Sequence, residues 1–156
     1  MAVMTMAAPY YASAELAPQC SKGTTMANAT FGVSPGYGVA ISVDHVLFDD
    51  WWKGHFTVGG EIDLSSPDKH ESAFGFTPRA TYGLNITREF EVHAIAEMGL
   101  GFWKYSYDGI EDNDTFILHS EMVGCRYFFT PGIALTAEAG YSNWFPGFRL
   151  GITFMF

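Results

Sequence analysis

The nine residues Phe148-Arg149-Leu150-Gly151-Ile152-Thr153-Phe154-Met155-Phe156 decide how the rest of the sequence is read. Phe148, Leu150, Ile152, Phe154 and Phe156 occupy every second position, with Arg149, Gly151, Thr153 and Met155 between them. A period of two puts the five apolar side chains on one face of an extended strand and Arg149 on the other. The run before it obeys the same rule: Ile133, Leu135, Ala137, Ala139 and Tyr141 oppose Ala134, Thr136, Glu138, Gly140 and Ser142.

The pattern extends back to about Thr24. Phe90, Val92, Ala94, Ala96, Met98, Leu100 and Phe102 alternate with Glu91, His93, Glu97, Gly99, Gly101 and Trp103, with Ile95 as an apolar intruder on the polar face. Phe74, Phe76, Ala80, Tyr82 and Leu84 oppose Gly75, Thr77, Arg79, Thr81, Gly83 and Asn85, and Pro78 predicts a local ladder defect. Phe56, Val58, Ile62 and Leu64 oppose His55, Thr57, Glu61 and Asp63. Residues 37–47 set Val39, Ile41 and Val43 against Ser42 and Asp44, and a weaker run covers residues 24–33. Residues 115–129 break the rule, because Phe116 and Leu118 follow one parity while Val123, Cys125, Tyr127 and Phe129 follow the other. A β-bulge within residues 120–122 would reconcile the two halves.

That makes eight strands, and their connections separate by end. Thr130-Pro131-Gly132, residues 85–89 and residues 49–54 fall at one end; residues 65–72, 106–114 and 143–147 fall at the other. Short turns at one end and longer loops at the other are a feature of outer-membrane barrels. Ser34-Pro35-Gly36 is an exception, short yet on the long-loop side.

Composition bears on which face points outward. The chain has 156 residues, enough for one domain, and 17% of them are aromatic. No stretch approaches the roughly 18 uninterrupted apolar residues that a spanning helix needs. Only 16% are charged, against about a quarter in an ordinary soluble domain. A surface facing hydrocarbon explains the deficit, since an Arg or Lys at the bilayer midplane costs about 2–4 kcal/mol. A soluble lipocalin-like barrel would need Lys and Glu spread over its outside, whereas the polar face here is largely Gly, Ala, Ser and Thr, suited to a narrow lumen. Aromatics fall at both expected interfaces: Trp51, Trp52, Phe90, Tyr127, Phe128 and Phe156 at one, and Phe74, Phe76, Trp103, Tyr105, Tyr107, Trp144 and Phe145 at the other. The expected fold is all-β, an eight-stranded antiparallel up-and-down transmembrane β-barrel over residues 22–156. Residues 1–21 read as a leader remnant or flexible N-terminal segment, with Ala12-Ser13-Ala14 fitting a cleavage site.

The final strand, apolar at alternate positions and ending in Phe156, resembles the signature by which barrels are assembled into outer membranes. The segment from Val123 through Thr130-Pro131-Gly132 to Tyr141 resembles the last hairpin of small eight-stranded outer-membrane proteins, the OmpA-barrel and OmpW-like group. The resemblance is close over residues 115–156 and looser back to residue 24. It implies an integral outer-membrane location, contact with outer-membrane lipid and lipopolysaccharide-like lipid, and engagement of the barrel-assembly machinery through Phe148, Leu150, Ile152, Phe154 and Phe156. It leaves activity open, because that group spans structural proteins, adhesins, narrow channels and lipid enzymes.

The inward face collects Asp44, Glu61, Glu97, Glu138, Arg79 and Arg149, together with Glu121. Buried charges must pair, so the first reading is an ion-pair network that fills the lumen, centred on Arg79 and Arg149. The alternative is a narrow channel or transporter for ions or small hydrophobic molecules, cation-preferring if it conducts, since carboxylates outnumber arginines. A lipid-modifying enzyme finds little support. The lipid A deacylase family carries a His-x-Ser-Asn motif, whereas this chain has Gly140-Tyr141-Ser142-Asn143 and so lacks the base, and adjacent residues of His119-Ser120-Glu121 point to opposite faces. No catalytic residue, cofactor or metal is expected. Residues 108–114 are acidic but lack calcium-loop spacing, and His45, His55 and His70 lack zinc-ligand spacing. Cys20 and Cys125 lie toward one end, where a bridge is geometrically conceivable. A net charge of −9 excludes nucleic acid, and an extracellular ligand would be met by the loops.

Overall fold

The computed structural model describes residues 20–33 and 36–156. Eight strands follow in order: β1 (Thr25–Val33), β2 (Tyr37–Trp51), β3 (Gly54–Ser66), β4 (Glu71–Asn85), β5 (Phe90–Tyr107), β6 (Ile110–Thr130), β7 (Ile133–Ser142) and β8 (Phe148–Met155). Each pairs antiparallel with its sequence neighbour, and β1 pairs with β8 from Met26↔Met155 to Val33↔Phe148. That last pairing closes the sheet and leaves no edge to hydrogen-bond with lipid or another chain. The seam is tight: a Cβ at Gly151 would lie 2.1 Å from the Ala29 carbonyl oxygen, so only glycine fits there.

The barrel is inside-out relative to a soluble protein. Ile41, Met98 and Val123 are 62%, 68% and 64% exposed on the outer wall, while Asp44, Glu61, Arg79, Arg126 and Glu138 are buried inside. An apolar face wrapping the whole circumference is stable only against hydrocarbon, which contradicts the lipocalin-like arrangement. The five alternate apolar residues of 148–156 all lie on this outer wall.

Strand β6 departs from expectation. It pairs with β5 in unbroken register from Tyr107↔Ile110 to Phe90↔Tyr127, so there is no bulge at residues 120–122. Phe116 and Leu118 instead keep the inward parity of Ser120, Met122 and Arg126, and Glu121 is exposed on the outer wall beside Ala96 and Tyr141. The register shifts that do occur sit at Val46/Phe48 and Phe48/Trp51 in β2 and at Phe128/Thr130 in β6, all near one end of the barrel. At Pro78 the β4–β5 ladder skips from Phe76↔Leu100 to Arg79↔Glu97 without changing register, as a missing N–H requires.

The two ends differ. Trp52 and Lys53 turn β2 into β3 with both φ angles positive, at 51° and 67°. The Tyr82 hydroxyl from β4 holds this strained turn at the Trp51 and Trp52 carbonyl oxygens, 3.1 and 2.9 Å away. At the opposite end, residues 106–114 are a hairpin and not an irregular loop: β5 and β6 continue to a turn at Asp108-Gly109, both with positive φ. About ten tilted residues cross the hydrocarbon band, so the 18-residue β5 and 21-residue β6 project well beyond it.

Candidate functional site

The lumen is filled in layers. At the outer end the β7–β8 connection folds inward, burying Phe145 and Pro146 in the mouth, where Phe145 packs on Ala73 and Leu118. Trp144 stacks on Phe116 with centroids 4.6 Å apart and also meets Trp103, which stacks on Tyr105 at 6.2 Å. Trp103 and Tyr105 share the inward parity of Glu91 and Glu97, so they face over the mouth.

Beneath this aromatic cap lies the ion-pair layer. Arg149 in β8 reaches Glu61 and, at 3.3 Å, Asp63, both from β3 on the opposite wall, and its Nε donates to the Pro146 carbonyl oxygen at 3.2 Å. That last bond ties the inward loop to the charged layer. Arg79 sits centrally among four carboxylates: Glu61, Asp44 at 3.4 Å, Glu97 at 3.2 Å and Glu138 at 3.0 Å. Secondary contacts complete the layer, with Ser120 donating to Glu97 and Asn28 to Asp44 at 2.9 Å. A guanidinium presents its donors in a rigid fork, which is why one arginine can bridge carboxylates from four strands.

A second layer lies toward the other end, where Arg126 donates to Glu91 at 2.6 Å. His55 stands 3.6 Å and His93 3.4 Å from the same carboxylate, and His93 is also 3.6 Å from Glu138, linking the two layers. Below it, Cys20, Met26, Val46, Phe128 and Ala134 form an apolar floor with Met155 against it. Cys20 therefore belongs to the barrel, short of the boundary expected at residue 22. Residues 1–19 of the expected leader lie outside the described residues.

Of the residues expected in the lumen network, the structure brings together Asp44, Glu61, Arg79, Glu97, Glu138 and Arg149 and places Glu121 outside. Asp63, Glu91, Arg126, His55 and His93 belong with them and were missed, although each carried the inward parity of its strand. Of the aromatics expected at the interfaces, Trp51, Trp52, Phe90, Tyr127 and Phe156 lie on the outer wall or its turn. Phe128 and Phe145 are enclosed within, at 3% and 1% exposed. Trp103, Tyr105 and Trp144 form the cap, and Tyr107 packs on His70 at the hairpin tip. Cys20 and Cys125 are both free, Cys20 inside and Cys125 on the opposite side of the wall between Val92 and Ala137. On the hairpin, Asp112 and Asp114 accept from the Asn113 and Thr115 backbone N–H groups and Glu111 lies 3.6 Å from Lys104.

Residues 1–152 match the family described as outer membrane protein beta-barrel domain. The chain belongs to this family. An outer-membrane barrel is thus an integral protein of the Gram-negative cell envelope, and the inside-out polarity of the wall is what that location demands. No curated protein sequence matches the chain. Among solved structures it is similar to the N-terminal β-barrel domain of Pseudomonas aeruginosa OprF, at 15% identity and TM-score 0.67 over 86% of this chain and 98% of that one. It is also similar to Ail, the attachment invasion locus protein of Yersinia pestis, at 11% identity and TM-score 0.57 over 86% and 99% of the two chains. Neisserial surface protein A follows at 17% identity and TM-score 0.51 over 85% and 92%. The family and these neighbours are outer-membrane barrels, and none of their descriptions names an enzyme.

Proposed function

We propose that this barrel is a closed membrane anchor that holds a binding surface at the cell exterior, formed by its aromatic mouth and the projecting β5–β6 hairpin. The observation that carries the proposal is the continuous filling of the lumen, from Trp144 and Phe145 through the Arg149 and Arg79 layer to Phe128 and Met155. An eight-stranded barrel has just enough interior for side chains. With the interior filled, its exposed chemistry lies at the outer end. There Trp103, Tyr105, Phe116 and Trp144 form a ring-stacked platform on which the flat apolar face of a sugar or an aromatic side chain could stack. The similar barrels Ail, the attachment invasion locus protein, and NspA, Neisserial surface protein A, carry names consistent with such a role.

Outer-leaflet lipid of the lipopolysaccharide type surrounds this end in the proposal, and the outward apolar face of Phe148, Leu150, Ile152, Phe154 and Phe156 is the element offered to the assembly machinery. Catalysis has no support: the Ser142 hydroxyl accepts from the Phe145 N–H at 3.3 Å, and His119 rests against Tyr141. Titrating the refolded protein with oligosaccharides while following tryptophan fluorescence tests the surface. Quenching or a blue shift lost in Trp103→Ala and Trp144→Ala supports it, and saturable binding that survives both substitutions refutes it.

One observation favours a second reading. Among the described residues, six buried carboxylates (Asp44, Glu61, Asp63, Glu91, Glu97 and Glu138) face three buried arginines (Arg79, Arg126 and Arg149), an excess that would favour cations in a narrow pore. Bilayer conductance separates the two.

A further inference from the structure

The floor of the lumen gathers sulfur. The Cys20 Sγ lies 3.8 Å from the Met26 Sδ and 3.7 Å from the Met155 Sδ, and the two methionines are direct cross-strand partners at the β1–β8 seam. The Cys20 Sγ, a His55 ring nitrogen and a Glu91 carboxylate oxygen also lie within 4.8 Å of one another, all three residues buried. His55 is 1% exposed and neither of its ring nitrogens has a hydrogen-bond partner.

We propose that Cys20, Met26, Met155 and His55 form a binding site for a soft monovalent metal ion, Cu(I) or Ag(I), in the periplasmic mouth of the barrel. Two properties of the site identify the ion. The first is donor type: thiolate and thioether sulfur select soft ions, whereas zinc takes Cys, His and carboxylate ligands and has no use for the methionines. A tetrahedron with metal–sulfur bonds of about 2.3 Å has edges of about 3.8 Å, the spacing the Cys20 sulfur already holds to each methionine sulfur. The second is charge. The Arg126 guanidinium stands 2.6 Å from Glu91 Oε1, beside the site, and would oppose a divalent ion. A monovalent ion on one thiolate adds no net charge to a buried space. Glu91 Oε2 lies 3.4 Å from the Cys20 Sγ and accepts the thiol hydrogen bond. Binding forms the metal–sulfur bond as the S–H bond breaks, and the proton leaves to solvent by way of that carboxylate with no change of oxidation state. Met155, only partly buried, is the side from which an ion arrives.

Sequence spacing hides this site, because its ligands come from the segment before β1 and from β1, β3 and β8. The test uses the full chain refolded in detergent with a reductant, challenged with Cu(I) buffered by a chromophoric Cu(I) chelator. The native protein and Cys125→Ser should each withdraw one equivalent, with ultraviolet thiolate-to-metal absorption. Cys20→Ser and the Met26→Leu/Met155→Leu double variant, both checked for a folded barrel by circular dichroism, should withdraw none. The double variant keeps the thiol, so its result stands even if Cys20→Ser does not fold. The proposal is overturned if the native protein takes no Cu(I), if Cys125→Ser abolishes uptake, or if the methionine variant binds Cu(I) as the native protein does.

Discussion

Replacing Arg79 by methionine removes the one side chain that contacts Asp44, Glu61, Glu97 and Glu138 together. The cost follows from what each carboxylate keeps. Glu61 retains Arg149, Asp44 retains the Asn28 amide and Glu97 retains the Ser120 hydroxyl. Glu138 is left with only the His93 ring, 3.6 Å away, and its side chain is wholly buried. Stranding one buried charge costs about 3–5 kcal/mol, and the substitution should lower the unfolding free energy by about that amount. Glu138→Gln alone leaves Arg79 with three carboxylates and should cost no more than about 1 kcal/mol, the worth of an ordinary hydrogen bond. The double variant should then be more stable than Arg79→Met alone, giving a favourable coupling of about 2 kcal/mol, within the range for residues of one network. Equilibrium urea unfolding of the refolded barrel in phospholipid vesicles measures all four proteins. A loss below about 1 kcal/mol for Arg79→Met, or no relief from Glu138→Gln, would refute the reasoning, because Arg79 would then not be the charge that holds Glu138 in the lumen.

Three further outcomes follow. Phe145→Ala empties the space against Ala73 and Leu118 and should cost about 3–5 kcal/mol in the same titration. Tyr82→Phe removes the hydroxyl from the Trp52-Lys53 turn and should cost about 1 kcal/mol while leaving the circular dichroism of the barrel unchanged. Burial, followed by the nearby Glu91 charge, pushes the Cys20 thiol well above its ordinary value of 9.0. The folded thiol therefore stays protonated where the unfolded one ionises, so this contribution is intact below pH 9 and declines as pH rises beyond it, by up to about 1.4 kcal/mol per pH unit. Cys20→Ser should flatten that alkaline slope, seen as pH-dependent unfolding free energies in metal-free buffer.

Strand positions, closure and polarity were legible because an outer-membrane wall imposes one rule on both faces. Lipid favours apolar residues on the outward face, with Glu121 as an outward exception, and a narrow lumen requires most inward ones to be small or polar. The reading failed where the rule has local exceptions. Phe116 and Leu118 are apolar yet inward, because they plug the outer mouth with Phe145; taking them as outward produced the false bulge and drew Glu121 into the lumen. Phe128 misled in the same way at the floor. Trp103 and Tyr105 had inward parity throughout, and their place in the cap could have been read from it. What no pattern in one strand could reveal is which charges meet across the barrel. Arg126 finds Glu91 on the adjacent β5, but Arg149 finds Glu61 and Asp63 across the lumen, and Arg79 finds Glu138 three strands away. Those distances depend on strand stagger, which is set by all eight pairings at once.

The central claim is that the lumen is shut. Single-channel recording of the refolded native protein in a planar lipid bilayer tests it most directly, with the Phe145→Ala/Arg149→Ala double variant as the opened control. The closed-anchor account predicts a silent native protein and cation-preferring steps from the variant, since the inner carboxylates outnumber the arginines that remain. Discrete conductance steps from the native protein would contradict it and make the barrel a pore.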